Sequence, residues 1–226
     1  MKHLFGLTLA ITTVASVAVH AASPERVRGT VSAVTADSVT VHTADKDVAV
    51  GLTSNTHYLK VVKSSLNMVD KDSFIGTATK EVGGKLVALE VVIFPPAMKG
   101  TGEGHYGWDR IPDTTLSGGK AATSSMMTNG TISAVQSNGA TSNSTMTNGT
   151  VSATDGKGGS KEITVDYKGG KQTILVPPTA PIVAFEPNTM SDVTKGKVVF
   201  VVANNDDGKL TANAVAVGTE GAPPPM

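Results

Sequence analysis

The sequence predicts an all-β protein made of two copies of one small unit behind an N-terminal export segment. Three observations carry this. A short block recurs far along the chain, apolar residues alternate with period two inside each copy, and Gly- and Asp-rich turns separate the runs.

The N-terminal element has the form of a secretory signal. Lys2 supplies the positive charge, residues 4–19 are apolar and uncharged, and Val19-His20-Ala21 offers a cleavage site, so processing is expected after Ala21. A membrane anchor is the alternative. The run is shorter than the ~20 residues a spanning helix needs, and Thr8, Thr12, Thr13 and Ser16 dilute it. No later segment approaches a transmembrane span, so the mature chain (22 onward) is expected to be a soluble periplasmic protein. It has no cysteine, hence no disulfide, thiolate metal site or cysteine nucleophile.

Gly29-Thr30-Val31-Ser32-Ala33 recurs as Gly149-Thr150-Val151-Ser152-Ala153, 120 residues later, and Gly84-Lys85-Leu86 recurs as Gly208-Lys209-Leu210, 124 later. The extra four residues fall at 156–160. With the second offset Val69 aligns with Val193, Ala88 with Ala212 and Val91 with Val215. This divides the chain into a first unit at 22–95, a linker at 96–145, a second unit at 146–218 and a Pro-rich tail at 219–226.

Within the first unit Val39 and Val41 alternate with Thr40 and His42, Val48 and Val50 with Ala49 and Gly51, and Val87, Leu89, Val91 and Ile93 share one face of the last strand. In the second, Ile163 and Val165 alternate with Thr164 and Asp166. Residues 81–84 and 204–208 have hairpin-turn composition. Only 65–69 and 190–193 look non-β, each as one helical turn closing a barrel end. Three strands, a short helix and two strands is the order of an OB-like barrel, so two tandem OB-like barrels are expected.

The linker is rich in Ser, Thr, Gly and Asn and reads as flexible. Yet Met127-Thr128-Asn129-Gly130-Thr131-Ile132-Ser133-Ala134 nearly repeats Met146-Thr147-Asn148-Gly149-Thr150-Val151-Ser152-Ala153. The expected reading makes the later segment the first strand of the second unit and leaves the earlier one tolerated in the linker, because long loops cost little closure entropy. The sharper alternative is strand exchange, within one molecule or between two.

Arg-Val-Arg-Gly-Thr-Val, Ser-Val-Thr-Val, Asp-Ser-Phe-Ile-Gly-Thr-Ala and Leu-Val-Ala-Leu-Glu-Val together resemble the bacterial exported domains of unknown function with an OB-like fold, over 26–94 and about 146–218. Residues 94–109, from Phe94-Pro95-Pro96 to Tyr106-Gly107-Trp108-Asp109, resemble a group of two-copy proteobacterial periplasmic proteins. Relatives in that group often carry the label "metal ABC transporter permease". A permease needs several spanning helices. The resemblance therefore implies fold and compartment, with metal handling as an alternative.

Nineteen basic against nineteen acidic side chains leave no net charge, which argues against a protein that tracks a nucleic-acid backbone or a polybasic membrane binder. Aromatics are 4% of the chain, too few for base-stacking rows. The chain has no Gly-x-Ser-x-Gly elbow, P-loop or His-Glu-x-x-His, so no enzyme is expected. Of the mature histidines, His42 lies on a polar strand phase. His57 aligns with Pro181, so the repeat does not require it for folding, and a ligand role stays open.

The richest segment is 102–109. Glu103, His105 and Asp109 are an O/N ligand set suited to Zn, Cu or Ni. Tyr106 and Trp108, the only tryptophan, would pack on a barrel or bind a ligand. The expectation is thus a non-enzymatic periplasmic binding or interaction protein without cofactor, its partner an envelope protein or a small ligand. A metal-binding accessory protein using Glu103, His105 and Asp109, and a structural envelope protein whose tail extends into solvent, are the alternatives.

Overall fold

The computed structural model describes residues 24–116, 121–137, 159–219 and 221–225. These residues are nearly all β, as the periodicity predicts, and join in one sheet. The first repeat supplies β1 (Glu25–Val34), β2 (Ser38–His42), β3 (Asp47–Gly51), β4 (His57–Lys63), β5 (Phe74–Val82) and β6 (Lys85–Ile93). Next come β7 (Gly104–Pro112) and β8 (Ala122–Ser137), then β9 (Lys161–Tyr167), β10 (Gly170–Val176), β11 (Ile182–Pro187), β12 (Val198–Asp206) and β13 (Lys209–Gly218). Among the described residues helical structure is confined to three-residue 3-10 turns, at Leu66–Met68, Pro96–Met98 and Met190–Asp192. Among the described residues no helix is long and apolar enough to cross a membrane.

Local chemistry explains the hairpins. Gly83 and Gly84 both have positive φ (58° and 77°), as do Asp207 and Gly208 (52° and 88°). Two consecutive positive-φ residues form the tight turn whose twist matches a hairpin, and they join β5 to β6 and β12 to β13.

The strands do not close as one barrel per repeat. β1 pairs with β2 and β12, β2 with β3, β12 with β13, and β13 returns to β3 through Thr211 and Gly51. A second ring forms in the same way. There β8 pairs with β9 and β5, β9 with β10, β5 with β6, and β6 with β10. Each ring thus combines three strands of one repeat with the closing pair of the other. Strand pairing thus crosses the division into units at 22–95 and 146–218.

The cause lies in two strands the repeat pattern hid. Instead of turning back after β3 and β10, the chain runs on as β4 and β11. These pair with each other antiparallel, Val61 opposite Phe185, and carry the chain into the other ring. Their β-branched and aromatic residues (Tyr58, Val61, Val62, Val183, Phe185) favour the extended form.

Both cores are mixed. The first contains Val31, Val39 and Val41 with Val199, Val201, Val215 and Val217, and the second contains Ile75, Ala88 and Val91 with Ile132, Ile163 and Ile174. The 3-10 turns follow the exchange, so Val193 packs in the first core and Val69 in the second. At about 1.5–3 kcal/mol per buried aliphatic side chain, the four valines of β12 and β13 contribute roughly 6–12 kcal/mol. That gross term is large beside the ~5–15 kcal/mol net stability of an ordinary domain, so the two repeats cannot separate without opening both cores.

The segment read as linker contributes β7 and β8. Residues 127–134 are therefore sheet and not tolerated linker, while 146–153 lie outside the described residues. Two features make 127–134 the counterpart of β1. Backbone bonds join Val31 to Gly196 and Lys197 as they join Ile132 to Asp72 and Ser73. The same bulge also falls at Ser32 and Ser133.

The tail does not extend into solvent as the structural-envelope alternative supposes. Thr219 and Ala222 exchange backbone hydrogen bonds, Gly221 turns the chain, and Ala222 and Pro224 are buried. Ala222 joins a third cluster between the rings, with Leu59, Val61, Val183, Phe185 and Phe200. This cluster takes Val92 of β6 and a smaller one takes Leu89, while Ala88 and Val91 face the second core, so β6 is buried from Ala88 to Val92 on both faces and not on one.

Candidate functional site

The residues of 102–109 enter a strand added outside the second ring. β7 pairs with β8, Gly104 opposite Asn129 and Pro112 opposite Ala122, with an irregularity between Gly107 and Arg110. Its entry is held by Asn129, whose Nδ2 donates to the Gly102 carbonyl (3.1 Å) and to the Tyr106 hydroxyl (3.2 Å). The Tyr106 hydroxyl in turn donates to the Gly102 carbonyl.

Trp108 is half-buried and touches both the cluster between the rings and a smaller one around Leu89, Ile111 and Met127. Tyr106 lies beside it, ring centroids 6.1 Å apart.

Two arginines of β1 meet this strand. Period two places Val27 inside the first ring and Arg26 and Arg28 outside. The Arg26 guanidinium stacks 4.1 Å from the Trp108 ring centroid, and that of Arg28 lies 4.6 Å from Phe200. Asp109 sits between them. Arg26 donates through Nε (3.1 and 3.0 Å) and Nη2 (2.7 Å), and Arg28 donates through Nη1 to Oδ2. Side-chain exposures of 25–29% put the trio in partial shelter, where such pairs outweigh fully exposed ones. Ser125 Oγ fixes the Asp109 backbone by donating to its carbonyl (2.8 Å). Buried Glu90 of β6 adds a second negative charge acting on Arg28.

Burial pushes the Asp109 carboxyl up, but the hydrogen bonds and charges of Arg26 and Arg28 outweigh it, so the group titrates below the usual aspartate range. Burial pulls Arg28 down, against the attraction of Asp109. A second sheltered pair follows β7. Asp113 accepts from Lys80 Nζ (2.7 Å) and from Thr115 Oγ1 (2.6 Å) and N (3.1 Å). Burial raises it, and Lys80 and Thr115 bring it below the ordinary range.

Both depressed carboxyls make acid the direction of weakness. The stability they supply is complete above the unfolded aspartate value of about 3.9 and is lost as pH falls through their lower folded values. Melting curves from about pH 6 to pH 2 are expected to fall steeply at the acid end, and Asp113→Asn to flatten that fall. An unchanged acid limb in the variant would remove Asp113 from this account.

The three residues read as metal ligands have separate partners. Glu103 Oε1 accepts from the Lys168 backbone N–H (3.0 Å), at the β9–β10 turn. His105 Nδ1 meets Thr128 Oγ1 at 2.8 Å, and its ring stacks on Tyr167. Asp109 faces β1, and a metal would have to displace two guanidiniums from it. Among the described residues no group of three or more His, Asp or Glu side chains is arranged to hold a metal ion. His57 stands elsewhere, exposed at the head of β4 beside Ala214.

Sequence reasoning found Tyr106, Trp108 and Asp109 but missed Arg26, Arg28, Glu90 and Phe200. A signal for the arginines existed. Arg-Val-Arg on a strand with Val27 inside puts two guanidiniums side by side on the outer face, which calls for an acid from another strand. No protein-family model, curated protein or solved structure matches this chain.

Proposed function

We propose that this is a periplasmic, non-enzymatic binding or interaction protein, built as two OB-like barrels that have exchanged their closing strands. With the crossing strands β4 and β11 left out, each ring runs in repeat order first, second, third, fifth, fourth and back to first. This supports an OB-like reading, and such barrels serve recognition of many kinds. The signal-like N-terminus supports export.

The observation that carries the reading is the partly exposed patch formed by Tyr106 and Trp108 of β7, a strand outside both rings, with Arg26 and Arg28 of β1. Tyrosine, tryptophan and arginine are the residues that dominate recognition surfaces. Neither ring needs β7 for closure, and its Tyr106 and Trp108 keep part of their surface exposed beyond the cluster they cover. The partner is an envelope protein or a small envelope ligand.

The test uses mature protein purified from the periplasm, with its N-terminus expected at Ala22. Envelope extracts are passed over wild type, Trp108→Ala and Arg26→Gln, each first shown to melt cooperatively. A component retained by wild type and lost by both variants supports the reading. Identical retention by all three, or an uncleaved N-terminus on the purified chain, sinks it.

A further inference from the structure

We propose that the second ring has two interchangeable first strands. Residues 127–134 fill the slot as part of β8, and 146–153 are a second occupant built to the same specification.

The slot sets strict terms. A Cβ at Gly130 would strike the Asp166 carbonyl and lie 2.8 Å from Val165 Cγ1, so the position takes only glycine. The residue at 132 is fully buried and bonds through its N–H and C=O to Ser73 and Asp72. Ser133 occupies the bulge, its Oγ 3.4 Å from the Thr164 carbonyl. Thr128 is fully buried against His105, and buried Asn129 pins Gly102 and Tyr106. Buried Ser125 holds Asp109.

Nineteen residues later the chain repeats these terms as Ser144, Thr147, Asn148, Gly149, Val151 and Ser152. Only a methylene is lost, Ile132 against Val151. The first ring shows that valine suits such a slot, because Val31 fills the equivalent place beside Gly29 and Ser32 and is itself fully buried.

Two opposing effects keep the occupants close in energy. The isoleucine fills the core better. The valine strand needs a far shorter connection to β9. From Ser137 the chain must bridge residues 138–160, whereas from Gly156, the position equivalent to Ser137, it must bridge only 157–160. The latter matches the short β1–β2 turn at 35–37, and although the β7–β8 connection then grows from 113–121 to 113–140, closure cost follows the logarithm of length and still slightly favours it. Exchange would shift the strand by one repeat and move a Ser/Thr/Asn-rich loop from one end of the ring to the other. Side chains equivalent to Asn129 and Ser125 would still hold β7.

Four variants of the mature chain test this. Gly130→Val and Gly149→Val are each expected to melt within about 3 °C of wild type, the scale of roughly 1 kcal/mol in a chain of this size. The double variant is expected to fall by more than about 10 °C, as is Gly29→Val at the equivalent place in the first ring. In the Gly130→Val background, cysteines at Thr150 and Asp166 should form a disulfide within a monomer, since Thr131 and Asp166 are directly opposed. The chain has no other cysteine. Gly130→Val falling as far as the double variant overturns the proposal. So does a double variant as stable as wild type, a missing disulfide, or one formed only between two chains.

Discussion

Asp109→Ala is expected to lower the unfolding free energy by roughly 2–3 kcal/mol, through the loss of one carboxylate that joins the strands of the two rings. Both oxygens of this carboxylate accept from guanidiniums, and the alanine leaves Arg26 and Arg28 facing each other without their shared counter-charge. Nε and Nη2 of Arg28 are already buried without a hydrogen-bond partner, so solvent cannot readily rescue the group. The pairs are about a quarter exposed, which keeps the figure below that for a fully buried pair. Asp109→Asn should lose less, because it keeps the shape and two polar atoms. Urea unfolding followed by the fluorescence of Trp108, stacked under Arg26, reads both the loss and its place. A change under about 0.5 kcal/mol would make the trio surface decoration.

Gly29→Val is expected to cost more still, at least about 3 kcal/mol. A Cβ at Gly29 would strike the His42 carbonyl and lie 2.7 Å from its carbon and 3.0 Å from Val41 Cγ1. The obstacle is backbone on a paired strand, which can yield only by breaking the β1–β2 ladder. The neighbours on both sides are core, since Val27, Val31, Val39 and Val41 are all buried. Far-ultraviolet circular dichroism against temperature checks this. A Gly29→Val protein melting with wild type would mean that β1 and β2 do not approach as closely as described.

The regular elements were readable because their cause is local. Alternation of Val39 with Thr40, or Ile163 with Thr164, reports which side of a strand meets a core, and Gly83-Gly84 and Asp207-Gly208 report turns. The crossing strands were not readable in this way. Val61 and Val62 follow each other, so residue type hides the period two that burial shows, with Leu59 and Val61 in the cluster between the rings and Lys60 and Val62 half-buried on the other side. The linker misled for the opposite reason. Residues 122–137 are polar by composition, yet Thr128, Asn129 and Ser125 are buried by specific hydrogen bonds, which composition does not record.

The candidate site was half legible. Tyr106, Trp108 and Asp109 stood out by residue type in a glycine-rich segment. Their partners did not, because Arg26 and Arg28 lie more than 80 positions away and meet Asp109 only after the rings have formed. The ligand trio shows the complementary error. Nearness in sequence suggested one site, but the strand sends Glu103, His105 and Asp109 to three different neighbours.

By itself the sequence determined that this protein is β, that it repeats, where its hairpins turn, and which strand has a near-duplicate. All of these depend on side-chain period and backbone conformation within a few residues. Only the tertiary structure decided which strands close which ring. The two repeats present nearly the same apolar faces, so either closing pair satisfies either core. The choice rests on β4 and β11, which gain a mutual ladder and a shared apolar cluster by crossing and would lose both by turning back.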